Sequence, residues 1–116
     1  MTTISVLLDE GSPVGVTAEG HAGFAENGSD IVCSAISTLL FTLAIGIKEV
    51  AHLEDAVFQA TPEGDDSGNF FKIHWPRSDY EKVANIVETI LLGLRRLEYQ
   101  FGDYLCVTEV HIHDSV

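Results

Sequence analysis

The chain has 116 residues, of which 46% are hydrophobic, and it carries 18 Asp and Glu against 6 Lys and Arg, for a net charge of −12. This length predicts a single domain over residues 1–116, and this composition is sufficient for a real core. A surface this acidic repels phosphate backbones, which argues against direct binding of nucleic acid and favours a basic protein or peptide as the partner.

The N-terminus, MTTISVLLDEG, has no basic region followed by a long apolar segment, so it predicts no signal peptide. We therefore expect a cytoplasmic protein in which the two cysteines, Cys33 and Cys106, stay reduced, and a disulfide between them is the less favoured alternative. Residues 31–47 contain no charge and reach the short limit for a membrane span. The serines, threonines and glycine within this run, and the strand-like segments around it, favour a buried core helix and no membrane.

The hydrophobic pattern predicts the element order β-β-α-β-β-α-β. The strands are predicted at residues 3–8, 14–21, 55–61, 69–75 and 104–113. In the second strand, alternation places Val14, Val16 and Ala18 on one face and Thr17, Glu19 and His21 on the other. The predicted fold class is α+β: a two-layer sandwich with a mixed sheet of about five strands and two long helices.

The first helix is predicted to run from an N-cap at Asp30 to about Leu53. The second is predicted to begin at a capping box formed by Ser78 and Glu81, and its apolar stripe at helical spacing comprises Val83, Ile86, Val87, Ile90, Leu94 and Leu97. The first helix is apolar on nearly every side. It must therefore be covered on more than one face, either by the sheet and the second helix or by a second subunit.

The stretch EGHAGFAENGSDIVCSAIS, residues 19–37, places a histidine twelve residues before a cysteine. With Asp30 as the N-cap, Cys33 is the third residue of the helix, where the helix dipole favours the reactive thiolate and first-turn amides could bind an oxyanion. His21, at a strand end, could act as its base and acid. A small core cysteine and a solvated histidine are the alternative interpretation.

Two separated blocks of this stretch match a known pattern. The sequence GHA at 20–22, then a short loop, then GSDIVC at 28–33 with Ser37 four residues after the cysteine, resembles the signature of the ribosomal-processing cysteine proteases, the Prp family. The similarity extends over the chain in its length, its element order and the long apolar helix that follows the cysteine.

This resemblance implies a cytoplasmic bacterial cysteine endopeptidase that uses no cofactor and acts as a homodimer. Such an enzyme removes the N-terminal extension of one large-subunit ribosomal protein, the twenty-seventh in the usual naming, after a short apolar sequence that ends in an aromatic residue. By the matching positions, Cys33 would be the nucleophile and His21 its base, with Gly20, Asp30 and Ser37 in supporting positions. Ser37 could donate near the thiolate, or it could bond back to its own helix.

Other interpretations stay open at this point. The alternative function is a non-enzymatic acidic module that binds a basic ribosomal protein or an assembly factor, with Cys33 merely structural. His111, His113 and Glu109 share one face of the last strand and could supply part of a metal site, but a solvated strand face is favoured and no metal is expected. Cys106 lies in an apolar strand and is expected in the core.

Overall fold

The computed structural model describes residues 1–21, 25, 30–61 and 69–112. Its elements follow the predicted order: β1 (Thr2–Asp9), β2 (Ser12–Glu19), α1 (Ile31–Ile45), β3 (Val57–Ala60), β4 (Asn69–His74), α2 (Tyr80–Gln100) and β5 (Leu105–His111). A π-helical turn, Gly46–Val50, extends α1, and a 3₁₀ turn, Arg77–Asp79, precedes α2.

The five strands form one mixed sheet in the order β3-β4-β2-β1-β5. The β1–β2, β2–β4 and β3–β4 pairs are antiparallel, whereas β1 and β5 are parallel. The β1–β2 hairpin turns through Glu10 and Gly11, both with positive φ (50° and 82°), as a two-residue loop of type I′ requires. The parallel pair is possible because α2 carries the chain back across the sheet before β5.

The core lies between one face of the sheet and the two helices. The inward strand positions include Ile4, Val16, Phe71, Ile73 and Leu105, each 1% exposed or less. The helices contribute Val32, Ile36, Leu40 and Leu43 from α1 and Val83, Val87, Ile90 and Leu94 from α2. Burial of each such side chain contributes about 1.5–3 kcal/mol. The predicted two-layer α+β sandwich and the apolar stripe of α2 are therefore confirmed.

The first helix is only partly covered. With its π-helical turn, the segment Ile31–Val50 is long and apolar enough to cross a membrane by length and composition. In this fold it packs as a core helix against the sheet and α2. Along its outer side Ile31, Phe41 and Ile45 remain 44–61% exposed. The sheet and α2 thus cover one side of α1 and leave the other uncovered.

The predicted capping box at the start of α2 is wrong. The helix begins at Tyr80, and its N-cap, Asp79, makes no side-chain capping bond. Pro76 is extended, and the amide of Asp79 donates to its carbonyl at 2.9 Å. This bond winds the chain into a 3₁₀ turn, so Ser78 lies inside that turn and not at the cap position.

The expected core position of Cys106 is also wrong. Its neighbours Leu105 and Val107 are buried, whereas Cys106 is half-buried and pairs with Thr3 of β1. Because side chains alternate along a strand, Cys106 lies on the sheet face that the helices do not cover.

Candidate active site

Asp30 organises the start of α1. Its side chain is 8% exposed, and Oδ1 accepts the backbone amide of Cys33 at 2.9 Å, while its carbonyl oxygen accepts the amide of Ser34 at 3.1 Å. Oδ2 lies 3.5 Å from the amide nitrogen of Ala25, in the connection that precedes the helix. The predicted N-cap is therefore formed, and it ties the backbone of Cys33 to the helix start.

Cys33 is half-buried, and its side chain packs at the border of the core. As the third residue of α1 it lies in the first turn, at the positive end of the helix dipole. The backbone amide of Cys33 donates to Asp30 and is therefore not available to an oxyanion. Fewer first-turn amides can bind an oxyanion than the sequence predicts. Within the described part of the chain, Val32 is fully buried and Ile31 is exposed, so the amide of Ile31 is the first-turn amide that a bound anion could reach.

His21 follows a sharp change of backbone direction. β2 ends at Glu19, two residues earlier than predicted, because Gly20 takes a left-handed φ of 84°. A Cβ atom at Gly20 would lie 2.4 Å from the carbonyl oxygen of Met1, so the position requires glycine. His21 consequently lies beyond the strand with an exposed side chain, and the predicted strand alternation does not extend to it.

The end of β2 and the first turn of α1 lie at the same end of the sandwich. The ring of Phe41, in the middle of α1, packs edge-to-face on Phe71 with 5.9 Å between centroids. Phe71 lies in β4 beside the last residues of β2. After Phe41, α1 runs away from the end of the sandwich at which β2 ends. The chain then reverses direction before Val57, where β3 begins. The fold thereby brings His21 and Cys33 to one end of the molecule.

Ser37 lies one turn after Cys33, and both side chains are half-buried. The hydroxyl groups of Thr38 and Thr42 donate to the carbonyl oxygens four residues earlier, at 2.8 and 2.6 Å. A hydrogen bond of the same kind, from the Ser37 hydroxyl to the carbonyl oxygen of Cys33, is the alternative role that the sequence leaves open for Ser37. Since Cys33, Ser37 and Phe41 follow at intervals of four residues, they form one ridge along α1, which we call the α1 ridge.

An aromatic cluster lies beside this ridge. Phe41 packs edge-to-face on Phe58 of β3 at 5.9 Å, and Phe58 packs on Phe71 at 5.4 Å. The sequence motif does not mark Phe41 or Phe58. The spacing of eight residues from Cys33, two steps along a helix face, is the signal that could have found Phe41.

The potential metal ligands of β5 do not form a site among the described residues. No group of three or more His, Cys, Asp and Glu side chains in that part of the chain is placed to hold a metal ion. Glu109 instead lies 3.5 Å from the guanidinium of Arg95, and His113 falls outside the described residues.

Comparison with known proteins decides the family. The family model of the cysteine protease Prp matches residues 1–106. The chain belongs to the Prp family of cysteine proteases. A Prp described as a ribosomal processing cysteine protease, from Staphylococcus aureus strain Mu50, is 28% identical over 109 residues, which cover 89% of this chain and 93% of that protein.

Solved structures agree with the Prp fold. SMU.848 from Streptococcus mutans is 29% identical and superposes with a TM-score of 0.72, covering 97% of this chain and 96% of its own. The S. aureus ribosomal processing protease Prp, in complex with a covalently linked product peptide, is 26% identical with a TM-score of 0.73, covering 95% and 100%. The predicted family, fold class and cysteine-protease activity are confirmed.

Proposed function

We propose that this chain is the cytoplasmic endopeptidase that removes the N-terminal extension of the twenty-seventh large-subunit ribosomal protein during ribosome assembly. The observation that carries the proposal is Cys33 in the capped first turn of α1, at the same end of the fold as His21. Support comes from the S. aureus relative, which is a ribosomal processing protease with a covalently linked product peptide.

In the proposed reaction Cys33 is the nucleophile and His21 is its base and acid. The thiolate attacks the scissile carbonyl carbon, a C–S bond forms, and the carbonyl electron pair moves to oxygen, where the amide of Ile31 and the positive end of the α1 dipole stabilise it. The His21 imidazolium gives its proton to the leaving amine as the C–N bond breaks. A water molecule, deprotonated by His21, then attacks the thioester, releases the new carboxyl terminus and restores the thiolate–imidazolium pair.

Three further residues support this pair in the proposal. Asp30 is a positioning residue, because it holds the Cys33 backbone through the cap bond. Gly20 allows the chain to leave β2 where it does and so places His21. Ser37, one turn along the α1 ridge, donates a hydrogen bond near the thiolate.

The proposed partner is basic, and the chain is acidic at −12. Opposite charges speed the encounter of two proteins. We also propose that the chain acts as a homodimer, as the resemblance implies, without a metal or cofactor and without direct contact with nucleic acid or a membrane.

Thiol reactivity separates this protease from a non-enzymatic acidic module. Neither cysteine forms a disulfide and both are half-buried, so Cys106 is an internal control for Cys33. With iodoacetamide at neutral pH, and site-resolved mass spectrometry, the proposal predicts that Cys33 is alkylated about tenfold faster than Cys106 or more. Equal slow rates at the two cysteines would support the non-enzymatic module.

A further inference from the structure

We propose that the outer edge of β3, which pairs with no other strand among the described residues, is the docking strand for the substrate. In this proposal, which rests on the proposed function, the extended apolar segment before the scissile bond pairs with β3 as a sixth strand. Alternate side chains of that segment then lie against the α1 ridge of Cys33, Ser37 and Phe41. Contacts with β3 and with the α1 ridge would together place the scissile bond next to the thiol of Cys33.

The backbone of β3 offers hydrogen-bonding groups on its outer side. β3 pairs only with β4 among the described residues. The amide of Thr61 donates to the carbonyl of Phe70 at 3.0 Å, and because bonded pairs alternate in an antiparallel ladder, Gln59 also faces β4 with its backbone groups. The N–H and C=O groups of Phe58 and Ala60 therefore point away from β4, as an added strand requires.

The lengths of the two elements match. Cys33 and Phe41 are eight residues apart, which is about 12 Å along a helix. An extended peptide covers that distance with about four residues. Phe41 packs on Phe58, and β3 runs from that contact through Ala60 towards the end of the sandwich where Cys33 lies. A substrate that runs parallel to β3 therefore reaches Cys33 with its carboxyl-terminal end.

The opposite edge of the sheet, β5, is partly covered and is therefore less suited to pair with an added strand. The outward amide of Val107 in β5 donates to Oε2 of Glu98 at 2.6 Å. A side chain of α2 thus occupies the position where another strand would bond to β5. Natural sheets commonly protect an edge in this way, and β3 carries no such cover among the described residues.

The negative charge near the start of β3 also suits a substrate segment that has a free N-terminal amine. Glu54 and Asp55 are exposed immediately before β3, and Glu49 is exposed in the π-helical turn. Lys48, whose Nζ donates to the carbonyl of Ala56, is the cation among these three carboxylates, so the group carries a net negative charge. A segment of about five or six residues that ends at Cys33 would place its own N-terminal amine close to these carboxylates. The outer edge of β3, the α1 ridge and these carboxylates together suit one ligand. That ligand is a short, apolar N-terminal extension with a free amine.

A parallel strand bonds in a defined pattern. The substrate residue level with Gln59 donates its N–H to the carbonyl of Phe58 and accepts the N–H of Ala60. The substrate residue two positions later donates to the carbonyl of Ala60. The amide of the residue between them points away from β3.

The first test uses the Cys33→Ala variant, so that binding is measured without cleavage. The probe is a synthetic peptide with an apolar, aromatic-ending run followed by lysines, with a free N-terminus and a fluorophore at its other end. Adding Ala60→Pro removes one outward N–H and leaves the β3–β4 ladder bonded. Fluorescence anisotropy should show a Kd raised about fivefold or more, the usual effect of one lost hydrogen bond.

The matched control is Glu109→Pro, which removes an outward N–H from the β5 edge and should change Kd less than about twofold. Melting temperatures establish that both variants fold. If Ala60→Pro leaves peptide binding unchanged, or dissociates a dimer without weakening the peptide, the edge does not dock substrate and the proposal is overturned.

A second test changes the peptide and leaves the protein as it is. N-methylation of successive peptide amides should weaken binding at alternate positions along the segment that lies beside β3. Equal tolerance at every position would overturn the docking proposal even if Cys33-dependent cleavage continues. An alternating pattern with no cleavage by the wild-type enzyme would instead support docking and contradict the proposed function.

Discussion

The backbone amide of Cys33 donates to Oδ1 of Asp30 at 2.9 Å, so one carboxylate both caps α1 and holds the proposed nucleophile. The other oxygen of the same carboxylate lies 3.5 Å from the amide nitrogen of Ala25. Asp30 is nine-tenths buried, although charged side chains are seldom buried without partners. Its hydrogen bonds explain why an aspartate suits this position.

Replacement of Asp30 tests its positioning role. Asp30→Ala removes the cap and should lower the free energy of unfolding by about 1 kcal/mol, within a usual range of about 0.5–2. Asp30→Asn keeps an oxygen that can accept the Cys33 amide, so it should recover most of that stability and most of kcat. Urea denaturation and kcat measured on both variants provide the check. If Asp30→Ala is as active as wild type, Asp30 has no part in placing the thiol.

Replacement of His21 tests its role as base and acid. His21→Ala should slow cleavage by about 10²–10⁴-fold, the usual contribution of a positioned acid–base group. In the wild type, kcat/KM should rise with pH as the thiolate–imidazolium pair forms, and this dependence should change in the variant. His52→Asn is the control because His52 is also an exposed histidine. A near-normal rate for His21→Ala would reduce His21 to a surface residue.

Gly11 and Gly20 have nearly the same φ, so substituting each separates the cost of backbone strain from the cost of a steric clash. Gly20 and Gly11 have φ of 84° and 82°, but a Cβ atom at Gly11 would meet nothing within 4 Å. Gly11→Ala should therefore cost only the strain of a left-handed alanine, about 1–2 kcal/mol. Gly20→Ala adds the clash with Met1 and should cost more stability and also reduce cleavage by displacing His21. Equal losses of stability, with full activity, would contradict the assigned role of Gly20.

Salt dependence tests the role of the acidic surface. Raising the salt concentration from about 0.05 to about 0.5 M should lower kcat/KM for the full-length basic protein, since charge steering is screened beyond a Debye length of about 8 Å at physiological salt. A short peptide that spans only the cleavage site should respond less. Equal slopes for the two substrates would mean that the net charge of −12 has no part in substrate capture.

Local patterns in the sequence were sufficient for the element order and for the start of α1. The amphipathic stripe of α2 and the aspartate three residues before Cys33 both act within one or two turns of helix, so the residues themselves indicate the structure. The separated motif blocks also indicated the family, which the match over residues 1–106 confirmed.

Features that depend on partners distant in the sequence were not predictable in this way. The end of β2 depends on the approach of Gly20 to Met1, and the exposure of Cys106 depends on the register of β5 against β1. The strand order, which leaves β3 at an edge beside the α1 ridge, depends on pairing across the whole chain. The capping box predicted at Ser78 does not form, because a 3₁₀ turn includes this residue. A short sequence motif can therefore mispredict structure where the same residues form a different local turn.

We propose that Cys33 cleaves the N-terminal extension of the twenty-seventh large-subunit ribosomal protein. The most direct test of this cleavage is incubation of that extended protein with wild-type enzyme and with Cys33→Ala, followed by intact-mass spectrometry. The substitution removes little volume and should cost at most about 1–2 kcal/mol of stability, so the variant should fold. We predict a single truncation after an apolar, aromatic-ending sequence with the wild type and none with Cys33→Ala. An unchanged substrate mass with the wild type, or equal processing by the folded alanine variant, would contradict it.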